Sequence, residues 1–246
     1  SKNEEGREIR KAVVPQKSDW CILSADYSQI ELRVLAHLSQ DETLVEAFKQ
    51  DEDIHVLTAS RIFGTSPERI TPDMRSVGKM VNFSVIYGVS AFGLSRRLGI
   101  THNEARKFIE EYFQLYPGVK RFLSKVAASA KTTGYVRTLF GRRREIPQLR
   151  SKNPTIRREG ERMAINTPIQ GTAADIMKLA MINCLHRIKD KNLKTKMILQ
   201  VHDELVFEVP NEEKRVVHDI VKSAMEDVVE FSVPLKVSMN FADNWE

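Results

Sequence analysis

Two acidic residues sit at the ends of short apolar, β-prone runs, and this placement restricts the chain's possible folds more than any other feature. Cys21-Ile22-Leu23-Ser24-Ala25 runs into Asp26, and Leu199-Gln200-Val201 runs through His202 into Asp203-Glu204. Desolvating an unpaired carboxylate costs many kcal/mol, so such groups at the margin of a core are paired or gathered around a cation. A single aspartate of this kind is accounted for as a helix cap or by backbone amides. Two of them point to a shared hard ion. Magnesium fits, because it takes oxygen ligands from one or two carboxylates and fills its shell with waters and substrate phosphates.

At Asp26 the apolar period changes from a β-type run over 20–25 to a helical pattern with Ile30, Val34, Leu35 and Leu38. That puts the carboxylate at a strand-to-helix junction. Around Asp203 two geometries are open. Unbroken alternation sets it in the row Leu199, Val201, Leu205, Phe207 and Val209, whereas a turn at His202-Asp203 makes a hairpin. Either one leaves the acid at the edge of a core.

A basic helix lies in the segment 71–88, with Thr71 as cap, Pro72 at the first helical position and Gly88 as terminator. At about 100° per residue, Arg75, Lys79, Phe83 and Tyr87 drift slowly around the axis and form one stripe. Two cations followed by two aromatics suit a triphosphate at one end and a base and sugar at the other. Taken alone, the same pattern also describes a solvated basic turn followed by core aromatics.

These three segments resemble motifs A, B and C of the DNA polymerase I family, also called family A: Asp-Tyr-Ser-Gln-Ile-Glu-Leu-Arg at 26–33, Arg-x3-Lys-x7-Tyr-Gly from Arg75 to Gly88, and Val-His-Asp-Glu at 201–204. Similarity continues through Thr138-Leu139-Phe140-Gly141-Arg142-Arg143-Arg144 and the segment Asn166 to Asp175, so it covers essentially the whole chain. Five blocks in order carry weight that no single one has. A single-subunit RNA polymerase shares motif B and the paired aspartates but lacks the Ser-Gln-Ile-Glu continuation. A catalytically silent DNA-binding module on this fold is the other alternative, and here every metal and phosphate residue is present.

The resemblance implies template-directed DNA synthesis from deoxynucleoside triphosphates on a primer-template, with two magnesium ions. Asp26 and Asp203 would bridge both ions and the Tyr27 carbonyl would complete one shell. Arg75, Lys79 and His55 would hold the phosphates, and Lys79 and Glu204 would join the two aspartates as catalytic residues. Gln29, Glu31, Phe83 and Tyr87 would complete the nucleotide site, with Glu31 rejecting a 2′-hydroxyl, Phe83 packing on the nucleotide and Tyr87 beside the templating position. Arg142, Arg143, Arg162, Asn166, Gln170 and His202 would contact DNA, His202 and Glu204 flanking the primer terminus. Arg162, Asn166 and Gln170 recur every four residues, which suits minor-groove acceptors common to all base pairs. Ser84 stands where many relatives have glycine after the motif B aromatic, a tolerable change.

Composition adds little discrimination. With 38 Lys and Arg against 33 Asp and Glu the net charge is +5, so attraction to a polyanion rests on local patches such as Arg142 to Arg144. Two cysteines, Cys21 and Cys184, make no framework. With no apolar run of membrane length and no apolar leader at 1–7, a soluble, cytoplasmic protein is expected.

The fold expected is α+β: an antiparallel sheet with strands at 20–25, 194–201, 204–209 and 235–241, covered by helices near 158–166, 172–190 and 211–230. The span 53–133 reads as almost all helix, at 53–63, 72–87, 90–98, 102–114 and 117–132. In family terms this gives a palm over 1–52 and 134–246 and fingers over 53–133. The family's thumb and nuclease domains have no counterpart here, so a monomeric part of a longer polymerase chain is expected.

Overall fold

The computed structural model describes residues 4–246. In chain order its elements are α1 (Glu4–Lys11), β1 (Trp20–Tyr27), α2 (Ile30–Ser39), α3 (Glu42–Lys49), α4 (Ile54–Phe63), α5 (Pro72–Ile86), α6 (Ala91–Leu98), α7 (His102–Leu115) and α8 (Pro117–Thr133). There follow β2 (Tyr135–Arg137), β3 (Arg143–Glu145), α9 (Pro154–Asp190), β4 (Lys196–Val201), β5 (Glu204–Pro210), α10 (Lys214–Glu226) and β6 (Val237–Ala242). The architecture is α+β, as expected. Among the described residues no helix is long and apolar enough to cross a membrane.

The chain forms two compact units. One contains the described residues up to Ile30 together with Ala173–Phe231 and Leu235–Glu246; the other contains Glu31–Thr172 and Ser232–Pro234.

The first unit is built on an antiparallel sheet in the order β4-β5-β1-β6. All of β5 is buried, as befits an apolar strand with neighbours on both edges, while β4 alternates between exposed and half-buried residues as an edge strand does. Leu23 pairs with Phe207 and Ala25 with Leu205, and all four are fully buried. Val217, Val221, Ala224 and Met225 bury one stripe of α10. The Tyr27 hydroxyl donates to the Met225 carbonyl at 2.7 Å, which fastens the end of β1 to that helix.

In the second unit α4 and α5 pack most closely. Gly78 makes this possible, because a Cβ there would overlap the His55 carbonyl oxygen. Asp53 caps α4 by accepting from the His55 and Val56 amides, Thr71 caps α5 through the Met74 amide, and Thr101 with Glu104 forms a capping box on α7. Ala130, Val136, Ile146, Leu149 and Ala164 form a small core joining α8, the β2–β3 hairpin and α9.

Two helices expected at 158–166 and 172–190 are one. The single helix α9 runs from Pro154 to Asp190 through Pro168. Proline removes one amide but does not forbid continuation when neighbours compensate. The carbonyl that Pro168 leaves without its amide donor is that of Ala164, and in the same turn the Thr167 hydroxyl donates back to the Met163 carbonyl at 2.7 Å. The helix expected at 211–230 is shorter, spanning Lys214–Glu226.

Candidate active site

In the first unit the register of β1 and β5 sets Asp26 opposite Glu204, and β4 pairs Val201 with that same Glu204. A two-residue turn, His202-Asp203, therefore closes the β4–β5 hairpin. Asp203 lies in this turn and not in the apolar row, which settles the choice left open by periodicity. The Tyr27 amide donates to the Asp203 carbonyl at 3.1 Å, tying the turn to the end of β1. His202 holds a left-handed φ of 55°, and the Gln200 side-chain amide donates to its carbonyl at 2.6 Å. A non-glycine residue in this region stores strain, which accumulates where a turn must aim a functional group.

The carboxyl of Asp26 titrates unusually. Partial burial, then the charges of Asp203 and Glu204, push its pKa up to about 6, with Arg10 acting the other way. Like charges held together in this manner suit a cation. Among the described residues no group of three or more His, Cys, Asp or Glu is arranged to hold an ion. Two carboxylates with a neighbouring carbonyl are instead the sparse, hard oxygen set that magnesium accepts while keeping its waters. The donor set fits that ion.

Glu204 is engaged elsewhere. Its Oε2 pairs with Arg10 at 3.3 Å, and its Oε1 accepts from the Trp245 indole at 2.7 Å. Arg10 itself lies 4.4 Å over the Trp245 ring. Both oxygens of this buried carboxylate are thus held by residues from the two ends of the chain.

In the second unit Arg75, Lys79 and Phe83 lie along α5, and Tyr87 is its C-cap residue. The Phe83 ring sits 6.1 Å from that of Tyr87 and 6.0 Å from that of His55, so three rings stand in a row. The Tyr87 hydroxyl donates to Glu31 at 3.0 Å. Arg75 Nε donates to Asp53 at 2.7 Å. Burial raises the Asp53 carboxyl, but hydrogen bonds from Arg75 and from the Val56 and His55 amides outweigh it and hold the pKa low. Burial lowers the pKa of His55 to about 4; Asp53 opposes this, while Arg75 and Lys79 add to it. The ring is neutral. The Ser84 hydroxyl is buried without a partner among the described residues, so its place on the helix is not without cost.

The residues expected at DNA are dispersed over several elements. Arg142 is exposed beside the β2–β3 hairpin and donates to the Gly171 carbonyl at 2.9 Å; Arg143 pairs with Glu145 and stacks 3.8 Å over Tyr135. On α9, Arg162 and Gln170 are exposed. Asn166, with its amide nitrogen turned to α5, donates to the Ile86 carbonyl at 2.6 Å. In the first unit His202 is exposed, and Gln29, between β1 and α2, has a left-handed φ of 54°.

Four residues of these clusters were missed from sequence: Arg10, Trp245, Asp53 and Asn82, whose side-chain amide lies 3.0 Å from His55 Nδ1. Asp53 had a signal, an aspartate at the start of a predicted helix. Asn82, a polar residue in the apolar half of α5, had a weaker one. Arg10 and Trp245 had none, since only the fold brings them to Glu204.

The fold is similar to that of part of a solved polymerase domain. The POL domain of Pol1 from M. smegmatis, solved in complex with DNA primer-template and dNTP, superposes over 100% of this chain and 43% of that one, with a TM-score of 0.95 and 43% sequence identity. DNA polymerase I of Bacillus caldotenax is 51% identical over 242 residues, covering 98% of this chain and 28% of the relative. DNA polymerase I of Bacillus subtilis (strain 168) matches equally, at 51% identity. The chain thus spans about 28% of the length of these curated relatives. A family model described as DNA polymerase family A matches residues 1–246. The chain belongs to DNA polymerase family A.

Proposed function

We propose that this chain carries the chemical site of a template-directed DNA polymerase, joining a deoxynucleoside triphosphate to a primer 3′-hydroxyl with release of pyrophosphate. The observation that carries this reading is the convergence of Asp26 and Asp203, held together by the Tyr27 amide bond to the Asp203 carbonyl. Palm residues 1–52 and 134–246 and fingers residues 53–133 divide the work.

Asp26, Asp203 and the Tyr27 carbonyl would hold two magnesium ions. When bound, these supply a lowered pKa at the primer hydroxyl and charge neutralisation on the triphosphate. The chain's own residues do the rest. Arg75 and Lys79 present cationic donors to the phosphates and stabilise the charge that develops on the leaving pyrophosphate. Neutral His55 adds an uncharged donor. Phe83 packs on the nucleotide, Glu31 with Gln29 bounds its sugar, and Tyr87 stands beside the templating base. Arg142, Arg143, Arg162, Asn166, Gln170 and His202 orient primer and template mainly through phosphate and minor-groove contacts. Glu204, clasped by Arg10 and Trp245, stiffens the hairpin that carries Asp203 and acts by positioning.

The test is primer extension by Asp26→Asn and Asp203→Asn. Each substitution should abolish extension while duplex binding stays near normal, and the double variant should match either single one. Near-normal turnover by either variant would overturn the assignment.

A further inference from the structure

His55 is only 3% exposed and Asn82 is fully buried, yet the two polar side chains face each other across the α4–α5 contact. Asn82 Nδ2 lies 3.0 Å from His55 Nδ1 and 3.5 Å from the Ile54 carbonyl, while its Oδ1 lies 2.9 Å from the Thr58 hydroxyl. A carbonyl can only accept. In the orientation the side chain takes, the NH2 face is turned toward Ile54 and His55 while the Thr58 hydroxyl lies 2.9 Å from both Asn82 Oδ1 and the Ile54 carbonyl, and His55 Nδ1 accepts from Asn82. In a neutral imidazole the other nitrogen then carries the proton. Among the described residues that nitrogen, Nε2, has no hydrogen-bond partner. That atom is not among the buried polar atoms, so its N–H is open to an acceptor from outside the fold. Arg75 and Lys79 are close enough to oppose protonation of this ring, so the acceptor that belongs beside all three is an anion.

We infer that Asn82 is a positioning residue that fixes His55 as the Nε2–H tautomer, making it a neutral hydrogen-bond donor to a phosphate oxygen of the incoming triphosphate. The inference rests on the reading of Arg75, Lys79 and His55 as the triphosphate site. The opposite tautomer would turn a lone pair toward the phosphate and repel it. Thr58 holds Asn82 from the other side, and the Tyr116 hydroxyl lies 3.4 Å from that of Thr58, so the proton on His55 is set by a buried chain reaching to the end of α7. Gly78 is part of the device. Without it α5 could not approach the His55 backbone closely enough for Asn82 to reach the ring.

Nitrogen-15 NMR of the histidine-labelled chain distinguishes the two tautomers directly, with inorganic tripolyphosphate as the titrant. The wild-type ring should read as Nε2–H at neutral pH, and tripolyphosphate should shift that nitrogen and not Nδ1. Asn82→Asp, whose carboxylate only accepts, should move a proton onto Nδ1, and Asn82→Ala should give a mixture. Circular dichroism confirms that each variant is folded. A wild-type ring protonated on Nδ1, or an unchanged Nε2–H reading in both folded variants, would overturn the positioning role whether or not phosphate binds. His55→Ala should weaken tripolyphosphate binding roughly 10- to 100-fold, and His55→Gln, which keeps a donor near the Nε2 position, should restore part of it. Unchanged affinity in His55→Ala would instead overturn the phosphate reading, leaving the tautomer assignment to stand on the spectra alone.

Discussion

The Nε of Arg75 donates to Oδ2 of Asp53 at 2.7 Å, while Oδ1 of the same carboxylate accepts from the His55 and Val56 amides. One side chain thus caps α4 and sets the direction of a proposed phosphate ligand on α5. The two roles separate by substitution. Asp53→Asn keeps a capping oxygen and loses the ion pair, which is partly exposed and worth at most about 1 kcal/mol. Asp53→Ala loses both, costing about 1 kcal/mol more. Chemical denaturation of the two variants should show that order, and equal losses would mean that the cap contributes nothing.

Tyr87 holds Glu31 by a hydrogen bond of 3.0 Å, so the proposed sugar barrier depends on two residues. Glu31→Ala should raise ribonucleotide incorporation relative to deoxynucleotide. Tyr87→Phe, which removes only the hydroxyl, should raise it less. Competition assays with paired triphosphates would measure both ratios; an increase in Tyr87→Phe as large as in Glu31→Ala would show that the hydroxyl, and not the carboxylate, is the barrier.

The left-handed φ of His202, at 55°, tests whether turn geometry positions Asp203. Glycine adopts this conformation freely, and a β-branched residue does so only at a cost of about 1–2 kcal/mol. His202→Gly should unfold at or above the wild-type temperature and His202→Val below it. A valine variant as stable as the glycine variant would rule out strain at this position.

For pH, the sign follows from His55, whose pKa is lowered from 6.5 to about 4 by burial first and by Arg75 and Lys79 next, against Asp53. The unfolded chain then binds the extra proton first. The neutral ring's contribution to stability is complete above about pH 6.5 and is lost as pH falls toward 4. His55→Gln lacks this proton, so the stability difference between wild type and variant should shrink by a few kcal/mol across that window in denaturation series at fixed ionic strength. A difference independent of pH would mean that the ring titrates normally.

Most of the fold was legible along the chain, because the signals are local. A short apolar run marked β1 and alternation marked β4 and β5; the cap at Thr71 marked a helix start; and the 3.6-residue period put Arg75, Lys79 and Phe83 on one stripe. Local signals also misled where neighbours compensate, as at Pro168, which lies inside α9 and does not separate two helices. Only tertiary structure decided that Asp203 occupies a two-residue turn bonded to Tyr27, that Glu204 is clasped by Arg10 and Trp245, and that Asn82 meets the His55 ring. These are contacts between residues far apart in sequence and made in buried or half-buried surroundings, where partner and protonation state depend on the few atoms brought within reach. Periodicity records which face a residue takes; it does not record what stands opposite.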